Sequence, residues 1–113
     1  MLGDSISTGA NASGATGAQP WQPPYPQLLA DALQQKYRSA VTVANFSVGG
    51  MDVRWGLTQL DKVAQSSPDV LILAFGMNDA SGRRTPDEYA RISNEIIDAI
   101  SKKVPGCEVI LVA

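Results

Sequence analysis

Val70-Leu71-Ile72-Leu73-Ala74-Phe75, followed at once by Gly76-Met77-Asn78-Asp79, is the stretch that decides the fold. An unbroken apolar run of strand length, with no polar residue alternating through it, is the pattern of a strand covered on both faces by helices. Such strands belong to parallel sheets, where crossover helices must pack on the surfaces. The glycine that ends the run and the Asn-Asp pair after it are turn formers placed where the strand would hand over to its next element.

Outward from this run the helices are legible. Downstream, Thr85-Pro86-Asp87-Glu88 offers an N-cap, a proline at the first helical position and a glutamate three residues after the cap. Ile92, Ile96 and Ile100 then form one stripe, which predicts a helix to about Lys103. Pro105-Gly106 breaks it, and Val109-Ile110-Leu111-Val112 opens another buried strand. Upstream, Leu57, Leu60 and Val63 predict a helix that ends before Pro68. Val41, Val43 and Phe46 alternate with small residues, which predicts a strand from about Ala40 to Phe46, closed by Gly49-Gly50. Leu28, Leu29, Ala32 and Leu33 recur at helical spacing and predict an amphipathic helix from Tyr25 to about Tyr37. Residues 7–24, rich in Gly, Ala, Ser, Asn and Pro, read as one long loop. Only Met1 and Leu2 precede Gly3-Asp4-Ser5, so a strand feeding that turn is a stub. Strands alternating with helices define the α/β class, with a parallel sheet and right-handed crossovers in three layers.

Composition narrows the function. The chain has 113 residues, 44% hydrophobic and 18% charged, which is globular rather than disordered and small enough for one domain at most. A net charge of -2 with scattered Lys and Arg leaves no footprint for nucleic acid or an anionic membrane. No run approaches a membrane span, and no basic-then-apolar leader opens the sequence. The single Cys107 cannot form an internal disulfide and reads as a small buried residue. There is no histidine, the usual general base.

Ligands in open parallel sheets sit at the carboxyl ends of strands. Three turns there carry unusual residues: Gly3-Asp4-Ser5-Ile6, Asn45-Phe46-Ser47-Val48-Gly49-Gly50 and Gly76-Met77-Asn78-Asp79. Ser5 at the start of a helix would present its Oγ at the sheet edge, with its own N–H open to an oxyanion. Gly50, without a Cβ, can adopt positive φ and offer a second N–H; Asn78 offers a neutral side-chain amide. Asp4 and Asp79 could pair as acid and base or as a hard-metal site, but Asp at a turn more commonly binds local backbone. No metal or cofactor is expected. The glycines from Gly9 to Gly14 have the spacing of a phosphate loop without its Gly-Lys-Ser/Thr, and are read as chance. Trp21, Tyr25 and Trp55 could line a groove for sugar rings, although packing is the commoner role for such residues.

These three blocks, in this order and each after a strand, resemble the SGNH or GDSL-type hydrolases, a superfamily of esterases, lipases, thioesterases and carbohydrate deacetylases. The resemblance runs over nearly the whole chain. It implies a flavodoxin-like α/β/α sheet with the first strand central. It also implies a serine ester hydrolase in which Ser5 is the nucleophile and Gly50 and Asn78 complete the oxyanion hole, acting on a small-molecule or carbohydrate ester. The family's fourth block, an aspartate and a histidine three residues apart, has no match here. Residues 1–113 therefore read as a partial domain, truncated at both ends. A non-catalytic binding module of the same fold is the alternative.

A central strand two residues long leaves neighbouring backbone groups to be satisfied elsewhere. The isolated 113-residue polypeptide is accordingly expected to aggregate or to stay partly disordered. Calorimetry on the purified polypeptide tests this, and a cooperative unfolding transition from a monomer would contradict it.

Overall fold

The computed structural model describes residues 1–112. Three parallel strands, β1 (Leu2–Gly3), β2 (Val70–Ala74) and β3 (Glu108–Val112), pair in the order β1-β2-β3. Seven helices accompany them: α1 (Ser5–Thr8), α2 (Ser13–Thr16), α3 (Tyr25–Tyr37), α4 (Val53–Leu57), α5 (Leu60–Gln65), α6 (Met77–Ser81) and α7 (Pro86–Lys103). The parallel α/β class read from the apolar run is the observed one, and that run is the middle strand.

The best-marked elements form where their signals lie. Thr85 caps α7 by accepting from the Glu88 N–H at 3.2 Å, and Pro86 opens the helix. Ile92, Ile96 and Ile100 on its inner stripe are all buried. They meet Leu71 and Leu73 from β2, Leu2 from β1, Val53 from α4 and Val63 from α5 in one core. The core therefore sits on one face of the sheet. The other face of β2 carries Val70 and Ile72, which look across a cavity of about 760 Å³ toward Leu29 and Leu33 of α3. Both-sided burial of the run is thus uneven: Leu71 is sealed, while Val70 is 46% exposed.

Two expected elements differ. The strand predicted over Ala40–Phe46 does not form; residues 39–48 are irregular. This segment instead runs beside β1 and exchanges single bonds with it. The N-terminal ammonium donates to the Ala44 carbonyl at 2.7 Å, Phe46 N–H to Met1 O at 2.9 Å and Val48 N–H to Gly3 O at 3.1 Å. The partner strand is two residues long, too short to propagate a ladder. The helix expected around Leu57, Leu60 and Val63 is two helices, beginning earlier at Val53. Thr58 and Gln59 close the first in tight i→i−3 bonds to Trp55 and Gly56, and the Thr58 hydroxyl bonds back to the Trp55 carbonyl at 2.7 Å. The long loop over 7–24 contains the end of α1 and the one-turn α2. Cys107 is half-buried against the core.

Ile96 is fully buried where α7 meets the sheet. Ile96→Ala in the full-length protein is expected to cost about 2–5 kcal/mol through lost burial and the cavity left behind, measured as a lower urea midpoint at constant slope.

Candidate active site

The register of the sheet builds the site. Gly3 pairs with Ala74, so β1 and β2 end side by side and their following turns leave from the same edge. Close approach explains the glycine: a Cβ at Gly3 would lie 2.4 Å from the Ala74 carbonyl oxygen and 2.5 Å from Ser7 Oγ. Asp4 then caps α1, its carboxylate accepting from the Ile6 N–H at 2.9 Å. Ser5 is the first residue of that helix, and its N–H has no partner within it. Ser5 is half-buried, and its Oγ makes no hydrogen bond among the described residues.

The glycine block folds over this serine. Asn45 ties the segment to α1, donating from Nδ2 to the Ser7 carbonyl at 2.8 Å while its Oδ1 accepts from the Ser47 N–H at 3.0 Å. Val48 to Met51 form a turn closed by the Met51 N–H on the Val48 carbonyl, with Gly50 third at φ 79°. That left-handed value suits glycine. The turn lies against the serine: a Cβ at Gly49 would be 3.6 Å from Ser5 Cβ.

The third block joins through the carbonyl that follows Gly50. Asn78, in the first turn of α6, donates from Nδ2 to Met51 O at 2.8 Å. An amide nitrogen has two protons, so a second donor remains. The three regions marked in the sequence by Ser5, Gly50 and Asn78 thus converge, Ser5 against the turn and Asn78 through Met51.

Asp4 and Asp79 do not form a carboxylate pair. Asp4 is engaged by its own helix, and Asp79 is buried and accepts from the Val53 N–H at 3.1 Å and from Arg84 Nε at 2.6 Å. The described residues contain no cluster of three His, Cys, Asp or Glu able to hold a metal ion. Trp55 packs edge-on against Phe75 with ring centroids 6.4 Å apart, and the Tyr25 hydroxyl bonds Ser7 Oγ at 2.9 Å. Trp21 is exposed.

Two residues of this region escaped the sequence reading. Asp52 caps α4 through the Trp55 N–H, and Arg84 reaches from the α6–α7 connection to Asp52 Oδ2 at 2.5 Å. The position of Asp52 before a short apolar segment is a cap signal that could have been found. Nothing local marks which of Arg83 and Arg84 turns inward. Burial alone would raise the Asp52 carboxyl, but the Trp55 N–H and the Arg84 guanidinium outweigh it and hold the group below its ordinary value. The hydrogen bond to Asp79 leads the effects that raise Arg84 further above its usual range.

The GDSL-like lipase/acylhydrolase family profile matches residues 1–113, and the chain belongs to that family. Among solved structures, TesA superposes with a TM-score of 0.76 at 24% identity, covering 97% of this chain and 56% of TesA. A protein of Parabacteroides merdae described as a GDSL-like lipase superposes at 0.75 with 19% identity, again over 97% and 56% of the two chains. The chain therefore spans a little over half the length of these structures, and at these identities they speak for the fold. No curated protein sequence matches. No helix among the described residues is long and apolar enough to cross a membrane.

A carboxyl held low in the folded state stabilises it above the unfolded value of about 3.9, and that contribution is lost as pH falls through the native value. The melting temperature of the full-length protein should fall on acidification below about pH 4, and Asp52→Asn should make that fall shallower, read from thermal scans across the acid range.

Proposed function

We propose that these residues form the nucleophile and oxyanion-binding half of a serine ester hydrolase that works through an acyl-enzyme. The observation that carries this is the unbonded Ser5 hydroxyl at the start of α1, on a residue that lies beside the Gly49-Gly50 turn whose following carbonyl Asn78 holds. Family membership supports it.

In this mechanism Ser5 Oγ adds to the ester carbonyl carbon while its proton passes to a general base. The negative charge that develops on the carbonyl oxygen falls to the N–H groups of Ser5 and Gly50 and to the second proton of the Asn78 amide. The bond to the alcohol oxygen breaks, the alcohol leaves with that proton, and water releases the acid by the same steps. With no histidine among the 113 residues, the base is assigned to a part of the domain outside them, in keeping with the share of TesA that the chain covers. Among the described residues no broad apolar lid covers the turns, which supports a short-acyl or carbohydrate ester over a long lipid.

The test is hydrolysis of a p-nitrophenyl ester series by the full-length protein. Short chains should be preferred, Ser5→Ala should abolish turnover, and Asn78→Ala should lower kcat about 10²- to 10³-fold, the loss typical for one oxyanion donor. A fluorophosphonate should label Ser5. A full-length protein that neither turns over any ester nor takes the label would be a binding module instead.

A further inference from the structure

The segment after Gly50 and the helix that carries Asn78 are clasped residue against residue. Asn78 donates to Met51 O at 2.8 Å, and its neighbour Asp79 accepts from the Val53 N–H at 3.1 Å. Between these two bonds stands Asp52, and Arg84 closes the clasp by holding Asp52 Oδ2 at 2.5 Å and Asp79 Oδ1 at 2.6 Å with different nitrogens. The Arg84 N–H also returns to the Asp79 carbonyl at 2.9 Å. One guanidinium thus joins the N-cap of α4 to α6.

Burial makes this arrangement consequential. The side chain of Asp79 is 3% exposed and that of Arg84 is 11% exposed, so neither charge is well solvated. With Arg84 removed, the Asp79 carboxylate would keep only the Val53 N–H, an uncompensated buried charge that the surrounding structure must move to relieve. That movement loosens residues 51–53, which set the Gly50 donor on one side and the carbonyl that orients Asn78 on the other. An interaction at a surface ion pair is worth little, but a planar fork spanning two carboxylates from two elements fixes geometry as well as charge.

We propose that Arg84 is a positioning residue for the oxyanion hole: through Asp79 and Asp52 it holds the Gly50 N–H and the Asn78 amide at the spacing that catalysis needs, without touching substrate. The inference rests on the ester-hydrolase reading of Ser5. A lysine has a point charge and cannot fork across both carboxylates, so Arg84→Lys should fail almost as fully as Arg84→Ala.

The experiment compares Arg84→Ala, Arg84→Lys, Asp52→Asn and Ser5→Ala in the full-length protein with a p-nitrophenyl ester, beside thermal melts of each. The expected result is a kcat lower by about 10- to 100-fold in both Arg84 variants, the scale of a misplacement of about 1 Å, with KM within about twofold of the parent. Added guanidinium at non-denaturing concentration should restore part of the Arg84→Ala turnover. Should Arg84→Ala fail to fold, Arg84→Lys and Asp52→Asn decide by the same split. Unchanged kcat in the folded variants overturns the positioning role, as does a raised KM at constant kcat, which would make Arg84 a substrate-binding group. A loss explained wholly by the unfolded fraction, without guanidinium rescue, overturns it too. An inactive Ser5→Ala beside fully active Arg84 variants would sink the clasp alone, whereas an active Ser5→Ala sinks both readings.

Discussion

Two residues of backbone hold this structure together. Leu2 and Gly3 form β1, which pairs with Leu73 and Ala74 on one side. On the other side Met1 and Gly3 accept from the N–H groups of Phe46 and Val48. The Leu2 side chain is fully buried in the core, so the strand is anchored by packing as well as by hydrogen bonds. In the order β1-β2-β3 this strand lies at the sheet's edge rather than at the centre that the family resemblance implies, because residues 40–46 form no strand on its outer side and only single hydrogen bonds satisfy it there. The consequence is visible beside it, where residues 39–48 form no regular element.

The same short strand determines where chemistry can occur. Because it ends level with β2, the turns at Ser5 and at Asn78 leave the sheet together, the usual place for a ligand in a parallel α/β protein. Glycine at position 3 is required by that closeness, since a side chain there would strike the neighbouring strand's carbonyl. The glycine at position 50 answers a different need, a left-handed turn that keeps the chain against Ser5. Sequence alone presents both as turn formers; their separate reasons appear only with the neighbours in place.

Polar groups in this region differ in how far the fold commits them. Ser5 Oγ is unbonded among the described residues, and Asn78 commits one amide proton. Asp4 and Asp79, the more conspicuous charges, are spent on backbone N–H groups and on Arg84. A buried carboxylate is tolerable only when so satisfied.

Local signals carried most of the elements. The apolar run of β2, the Thr85-Pro86 start of α7 and the leucine spacing of α3 each have a cause within a few residues, and each formed where its signal lies. The blocks around Ser5, Gly50 and Asn78 were legible for the same reason, since turns and caps use residues that the chain itself prescribes. What depended on distant partners was hidden. The segment 40–46 has strand composition, but a strand exists only with a neighbour long enough to pair with it. Helix α4 was misplaced because its cap, Asp52, is secured partly by Arg84, 32 residues away. The clasp of Arg84 on Asp79 and Asp52 has no local signature at all: burial and ion pairing are properties of the folded surroundings, and only the tertiary structure decides which of two adjacent arginines turns inward.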